Sequence, residues 1–92
     1  MKINEELILS GIKDGTIKFI PDPNGDGEYE PVAQIGDYWF YFAGIEGEDK
    51  TVEEYLASVS KKDLARKIMD AVNELWDVER NYYISVLAKD GL

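Results

Sequence analysis

Apolar and polar positions alternate along this chain with different periods, and each period predicts a different local structure. Near the amino terminus Leu7, Ile8 and Ile12 recur at helical spacing behind Asn4, a residue suited to cap a helix. Glu5 and Glu6 place carboxylates at the positive end of the helix dipole, Gly11 weakens the turn it sits in, and Gly15 offers a stop. A helix over residues 4–14 is predicted. Residues 16–20 switch to a period of two, with Ile17 and Phe19 on one face and Thr16, Lys18 and Ile20 on the other, as in a half-buried strand. Pro21, Pro23, Gly25 and Gly27 then mark a loop. Extended structure resumes over residues 32–35, Gly36-Asp37 has the composition of a two-residue hairpin turn, and residues 38–43 return. That returning run, Tyr38-Trp39-Phe40-Tyr41-Phe42-Ala43, is apolar on both faces, so a semi-exposed aromatic surface is expected beside the core.

The second half reads as helical. Thr51-Val52-Glu53-Glu54 has the form of a capping box ahead of Tyr55, Leu56 and Val59, and Ser60-Lys61-Lys62-Asp63 repeats the start signal. Leu64, Ile68, Ala71, Val72, Leu75 and Trp76 follow at spacings of three and four, predicting one long buried stripe. Residues 82–88 are read as a further helix after a charged bend over residues 77–81. The β-rich run Tyr82-Tyr83-Ile84-Ser85-Val86 keeps a terminal strand open as the alternative. The predicted class is α+β in a single domain covering residues 1–92. It has an N-terminal helix, a three-stranded antiparallel sheet and two to three C-terminal helices packed on one face.

Composition narrows the chemistry. The chain has no Cys and no His, which removes disulfides, thiolate nucleophiles and imidazole bases or ligands. With charges inside its first apolar run, the amino terminus reads as neither a signal peptide nor a membrane span, so a cytoplasmic location is expected. Paired carboxylates remain available for acid-base work, but they need a cleft that raises one pKa, and a small core seldom builds one. No catalytic residue, cofactor or enzymatic activity is assigned. Ser58-Val59-Ser60-Lys61 matches a Ser-x-x-Lys pattern, yet Ser60 is accounted for as a helix cap.

The loop after the first strand matches the start of a calcium-binding loop, with Asp22, Asn24 and Asp26 at alternating positions and Gly27 next, and Glu28 close behind. The position of the bidentate Glu holds Ala33, and strands replace the flanking helices. Asp22, Asn24, Asp26 and Glu28 are thus weak candidate ligands, because Asn, Asp and Gly also dominate ordinary turns.

Charge is distributed unevenly. From Asp22 to Glu54 ten acidic residues face the single base Lys50, while the remaining residues carry nine acids and nine bases, so this segment holds the whole net charge of −9. Carboxylates in such density keep a small domain soluble, and they also imitate a run of phosphates. They disfavour nucleic acid and anionic membranes as direct partners and favour a basic protein.

The opening Met1-Lys2-Ile3-Asn4, the strand Thr16-Ile17-Lys18-Phe19 and the order of elements resemble the small acidic Cas9-inhibiting anti-CRISPR proteins of prophages and mobile elements. The run Ile35-Gly36-Asp37-Tyr38-Trp39-Phe40-Tyr41-Phe42 with Glu53-Glu54-Tyr55-Leu56 also resembles small proteins of bacterial mobile elements. The likeness lies in architecture and rests on no specific motif. It implies a DNA mimic whose acids engage the arginines that read the protospacer-adjacent motif of a Cas9-type nuclease. The residues expected to meet a partner are Asp37, Glu46, Glu48, Asp49, Glu53 and Glu54, with Tyr38 and Tyr41 from the aromatic strand. The competing expectation is a structural or calcium-responsive interaction module, built on the Asp22 loop or on the aromatic strand.

Overall fold

A computed structural model describes residues 3–25 and 27–88. Its element order is α1 (Glu5–Asp14), β1 (Ile17–Pro21), β2 (Pro31–Ile35), β3 (Tyr38–Tyr41), a 3-10 turn (Gly44–Gly47), α2 (Val52–Ser58), α3 (Lys61–Asn73) and α4 (Asp77–Ala88). The protein is α+β, with one α-helix ahead of the sheet and three after it among the described residues. Local chemistry sets most of these ends. The Asn4 side chain accepts from the Leu7 N–H at 2.8 Å, and Gly15 closes α1 in the left-handed conformation. Thr51 and Glu54 form the reciprocal capping box of α2, and Ser60 accepts from the Asp63 N–H at the start of α3.

The sheet has the order β1-β2-β3, antiparallel throughout. Ile17 pairs with Ile35, Phe19 with Ala33, Ala33 with Phe40 and Ile35 with Tyr38. These residues share one face by the period of the pleat, and the helices pack on it. A single buried cluster draws Ile8 from α1, Ile17, Ile35 and Phe40 from the sheet, Tyr55 from α2, Ile68 and Val72 from α3, and Ile84 and Leu87 from α4. The opposite face carries Lys18, Ile20, Val32, Gln34, Trp39 and Tyr41, with Trp39 and Tyr41 in edge-to-face contact at 5.2 Å.

Several sequence expectations need correction. Trp76 does not join the buried stripe: α3 ends at Asn73, Glu74 caps it, and Trp76 stands 81% exposed between two helices. The bend falls at residues 74–76 instead of 77–81; residues 82–88 are helical inside α4 as read, and the strand alternative does not hold. The third strand stops at Tyr41, so Phe42 leaves the ladder and packs between Phe19 and Tyr55. Gly11 has a packing role: a Cβ there would lie 2.7 Å from the Leu87 Cδ2 and 3.0 Å from Ile17, so its absence lets α1 approach α4 and β1. Among the described residues no helix is long and apolar enough to cross a membrane.

Candidate partner-binding surface

The acidic segment is organised by backbone bonds between its two halves. At the end of β1 the Asp22 N–H donates to the Glu30 carbonyl at 2.9 Å and to the Tyr29 carbonyl at 3.2 Å, closing the loop. The Glu30 N–H then donates to the Lys50 carbonyl at 3.0 Å, and Tyr29 pairs with Thr51 in an isolated antiparallel bridge. Residues 28–30 therefore lie beside residues 48–51, although about twenty positions separate them in sequence.

Asp22 faces inward. Its Oδ1 accepts from the Asn24 N–H at 2.8 Å, forming an Asx turn, and the Tyr41 hydroxyl donates toward Oδ1 and Oδ2, each at 3.2 Å. The candidate calcium loop thus has its first carboxylate occupied in holding β3 to the loop. Asn24 and Glu28 are exposed, and Asp26 lies outside the described residues. Among the described residues no group of three or more acidic side chains is arranged to hold a metal ion.

Glu30 occupies the left-handed region, with φ of 62°, and no other described residue apart from glycine does so. Partial loss of water raises its carboxyl above the ordinary value, and the negative charges of Asp22 and Glu48 push it further the same way. Loss of water around the Tyr41 hydroxyl likewise raises that group. Glu54 goes the other way, held low by its hydrogen bonds to the Thr51 backbone and side chain.

Of the expected partner-binding acids, Glu46, Glu48, Asp49, Glu53 and Glu54 fall on one exposed stretch, from the 3-10 turn to the first turn of α2. Lys50 sits among them, its ammonium donating to the Glu46 carbonyl at 3.0 Å. Glu46 meets Lys67 of α3 at 3.6 Å, a solvent-exposed pair of small energetic weight. Tyr41 borders this region, and Tyr29 and Ile45 add exposed apolar surface within it. Asp37 and Tyr38 are elsewhere. They sit at the hairpin end of β3, which spans about 10 Å over its four residues. There the Tyr82 hydroxyl accepts from the Asp37 N–H at 3.0 Å, and the Tyr38 and Tyr82 rings meet edge-to-face at 5.2 Å.

Sequence reading did not single out Glu30, Tyr29 or Ile45 for this surface. Tyr29-Glu30 directly before Pro31, and Ile45-Glu46 between Gly44 and Gly47, are the local signals that an apolar residue is displayed in a turn. The pairing of residues 29–30 with 50–51 has no such signal. Comparison of the chain with protein-family models, curated proteins and solved structures gives no match.

Proposed function

We propose that this protein acts by binding, and that its acidic end takes the place of a phosphate backbone in the basic groove of a nucleic-acid-binding protein. The observation that carries the reading is the lateral latch between residues 29–30 and 50–51. It gathers carboxylates from two separate loops onto one end of the sheet and intersperses them with exposed Tyr29, Tyr41 and Ile45. Charge alone would serve solubility, whereas aromatic and aliphatic anchors among charges are the composition of protein interfaces. Resemblance to Cas9-inhibiting anti-CRISPR proteins makes a Cas9-type nuclease the first partner to test, at the groove that reads the protospacer-adjacent motif.

The experiment is a competition. A guide-loaded Cas9-type nuclease is bound to a fluorescent duplex carrying its motif, and the protein is titrated in at about 50 and 200 mM salt. The duplex should be displaced, and more weakly at the higher salt. Glu48→Lys and Asp49→Lys should each weaken displacement about tenfold or more, as for truncated charge pairs at an interface. Asp37→Lys, at the other end of β3, should cost less, and Glu6→Lys, at an exposed position of α1, should cost nothing measurable. If the duplex stays bound at every concentration the nuclease assignment fails. If displacement occurs but ignores salt and both reversals, charge mimicry fails.

A further inference from the structure

A second surface lies at the hairpin end of β3, and it is built differently. β3 is an edge strand, since the sheet order leaves one of its sides unpaired. In an antiparallel ladder alternate residues turn their N–H and C=O groups away from the neighbouring strand. Ile35 and Tyr38 close the two-residue hairpin, so on β3 the outward residues are Trp39 and Tyr41. Among the described residues no main-chain bond outside the ladder engages either of them. Natural edges are usually blunted by Lys, Pro, a bulge or a covering element. The strand Tyr38-Trp39-Phe40-Tyr41 carries none of those residues and pairs without a bulge.

Beside this edge, on its helix side, runs a groove of about 490 Å³ whose walls include Tyr38, Phe40, Leu75, Val78 and Tyr82. Its rim is apolar and open to solvent, with Tyr38 at 59% and Val78 at 82% exposure, and exposed Trp76 stands next to Leu75. Acids surround it: Glu79 lines the groove, Asp37 sits on the hairpin, and Glu74 and Asp77 flank Trp76. Arg80, on α4 close by, is engaged by Asp77 and by the Asn73 carbonyl.

We infer that the free edge of β3 and this groove form a docking site for an extended, basic segment of a partner protein, which joins the sheet as a fourth strand. Each part of the site selects one property of the segment. Unpaired groups on Trp39 and Tyr41 call for main-chain hydrogen bonds, and the groove takes an apolar side chain from the strand's helix-facing side. The acidic rim calls for Lys or Arg at the flanks. That rim also disfavours a second copy of this chain, which would bring its own Asp37, Glu74 and Glu79 against these. The inference stands apart from the acidic end, because its groove is formed by β3, α4 and Leu75 of the connection between α3 and α4 and involves no residue of the 44–54 segment.

The test uses the full chain and a panel of synthetic peptides that alternate Thr with Val or Leu. One set has Lys at both ends, a second has Glu, and a third has Lys ends with N-methyl groups on alternate amides. Binding is followed by amide resonances and hydrogen exchange. Lys-ended peptides should bind about tenfold or more tightly than Glu-ended ones, slow exchange of the Trp39 and Tyr41 amides together, and lose affinity on N-methylation. Val78→Lys, at an exposed position that leaves the core intact, should weaken binding about tenfold, and Glu48→Lys should leave it unchanged. The inference is overturned if no Lys-ended peptide binds below about 1 mM. It is also overturned if binding leaves the two amides unprotected or ignores Val78→Lys, or if sedimentation shows the chain pairing with itself through this edge.

Discussion

The two ends of β3 are held by different means. At the hairpin end the turn is two residues long, Gly36 has φ of 63°, and the Tyr82 ring lies so close that a Cβ on Gly36 would overlap its hydroxyl and come within 3.0 Å of Cζ. Close packing of one ring against one glycine sets that end. At the other, the chain runs through irregular loops joined by a few main-chain bonds, and it tolerates a non-glycine residue at positive φ with other carboxylates nearby. The first arrangement fails when any atom is added. The second already carries a conformational and an electrostatic cost, so the right substitution improves it.

The largest expected effect tests the first half of that statement. Gly36→Ala should destabilise the fold by about 2 to 5 kcal/mol, combining about 1 to 2 for a side chain in the left-handed region with about 1 to 3 for overpacking. A urea midpoint with an unchanged slope would measure it. In a Tyr82→Ala background the overpacking part should vanish, so the same substitution should cost at least about 1 kcal/mol less. Additive effects would mean that the ring and the glycine do not constrain each other.

At the acidic end the sign reverses. Glu30→Gly should raise stability by up to about 1.5 kcal/mol, because relief of about 1 to 2 from the left-handed region is offset by about 0.5 to 1 of extra chain entropy. Glu30→Ala keeps the backbone cost and should gain less. A loss with Gly would show that the Glu30 side chain contributes contacts worth more than its strain.

The smallest effect separates carboxylates by pH. Glu30 is raised above the ordinary 4.5, so its contribution to stability is complete below that value and is lost as pH rises through its folded pKa. Glu54 is lowered, so its contribution is complete above 4.5 and is lost as pH falls through its folded pKa. At neutral pH the wild type should therefore be less stable than Glu30→Gln, and it should catch up as pH falls through the window just above 4.5. It should be more stable than Glu54→Gln at neutral pH and lose that lead below 4.5. Urea midpoints across about pH 3 to 7 cover both windows. Two parallel pH profiles would remove the distinction between the crowded carboxyl and the capping one.

What was legible in the sequence was chemistry that acts within four residues. Asn4, Gly15, the Thr51–Glu54 box and Ser60 mark helix ends through bonds to their own neighbours, and the structure has helix ends at each of them. Gly36-Asp37 marks its hairpin for the same reason. Periodicity misled where it continued past a helix end. Trp76 stands four residues after Val72 and fits the stripe, but no Gly or Pro announces that α3 stops at Asn73. The acidic surface was half legible. Composition located the excess charge between Asp22 and Glu54, yet the turning of Asp22 inward under Tyr41 and the division of Asp37 from the other acids depend on contacts between distant segments. The groove beside Tyr38 was invisible for the same reason, since Val78 and Tyr82 of α4 and Leu75 of the connection before it reach it from nearly forty positions or more away.

The hydrogen bond from the Asp37 amide to the Tyr82 hydroxyl also bears on the order of events during synthesis. The two residues are 45 positions apart. A ribosome adding about 5 to 20 residues per second would take roughly 2 to 9 s to supply the ring after the turn has been made. During that interval the hairpin has no α4 against it, and Phe40 lacks the Tyr83 ring that it meets at 5.1 Å in the finished molecule. The aromatic strand thus stays uncovered on this side until α4 is supplied, and a nascent chain stalled before α4 should be more readily captured by a chaperone than the finished molecule.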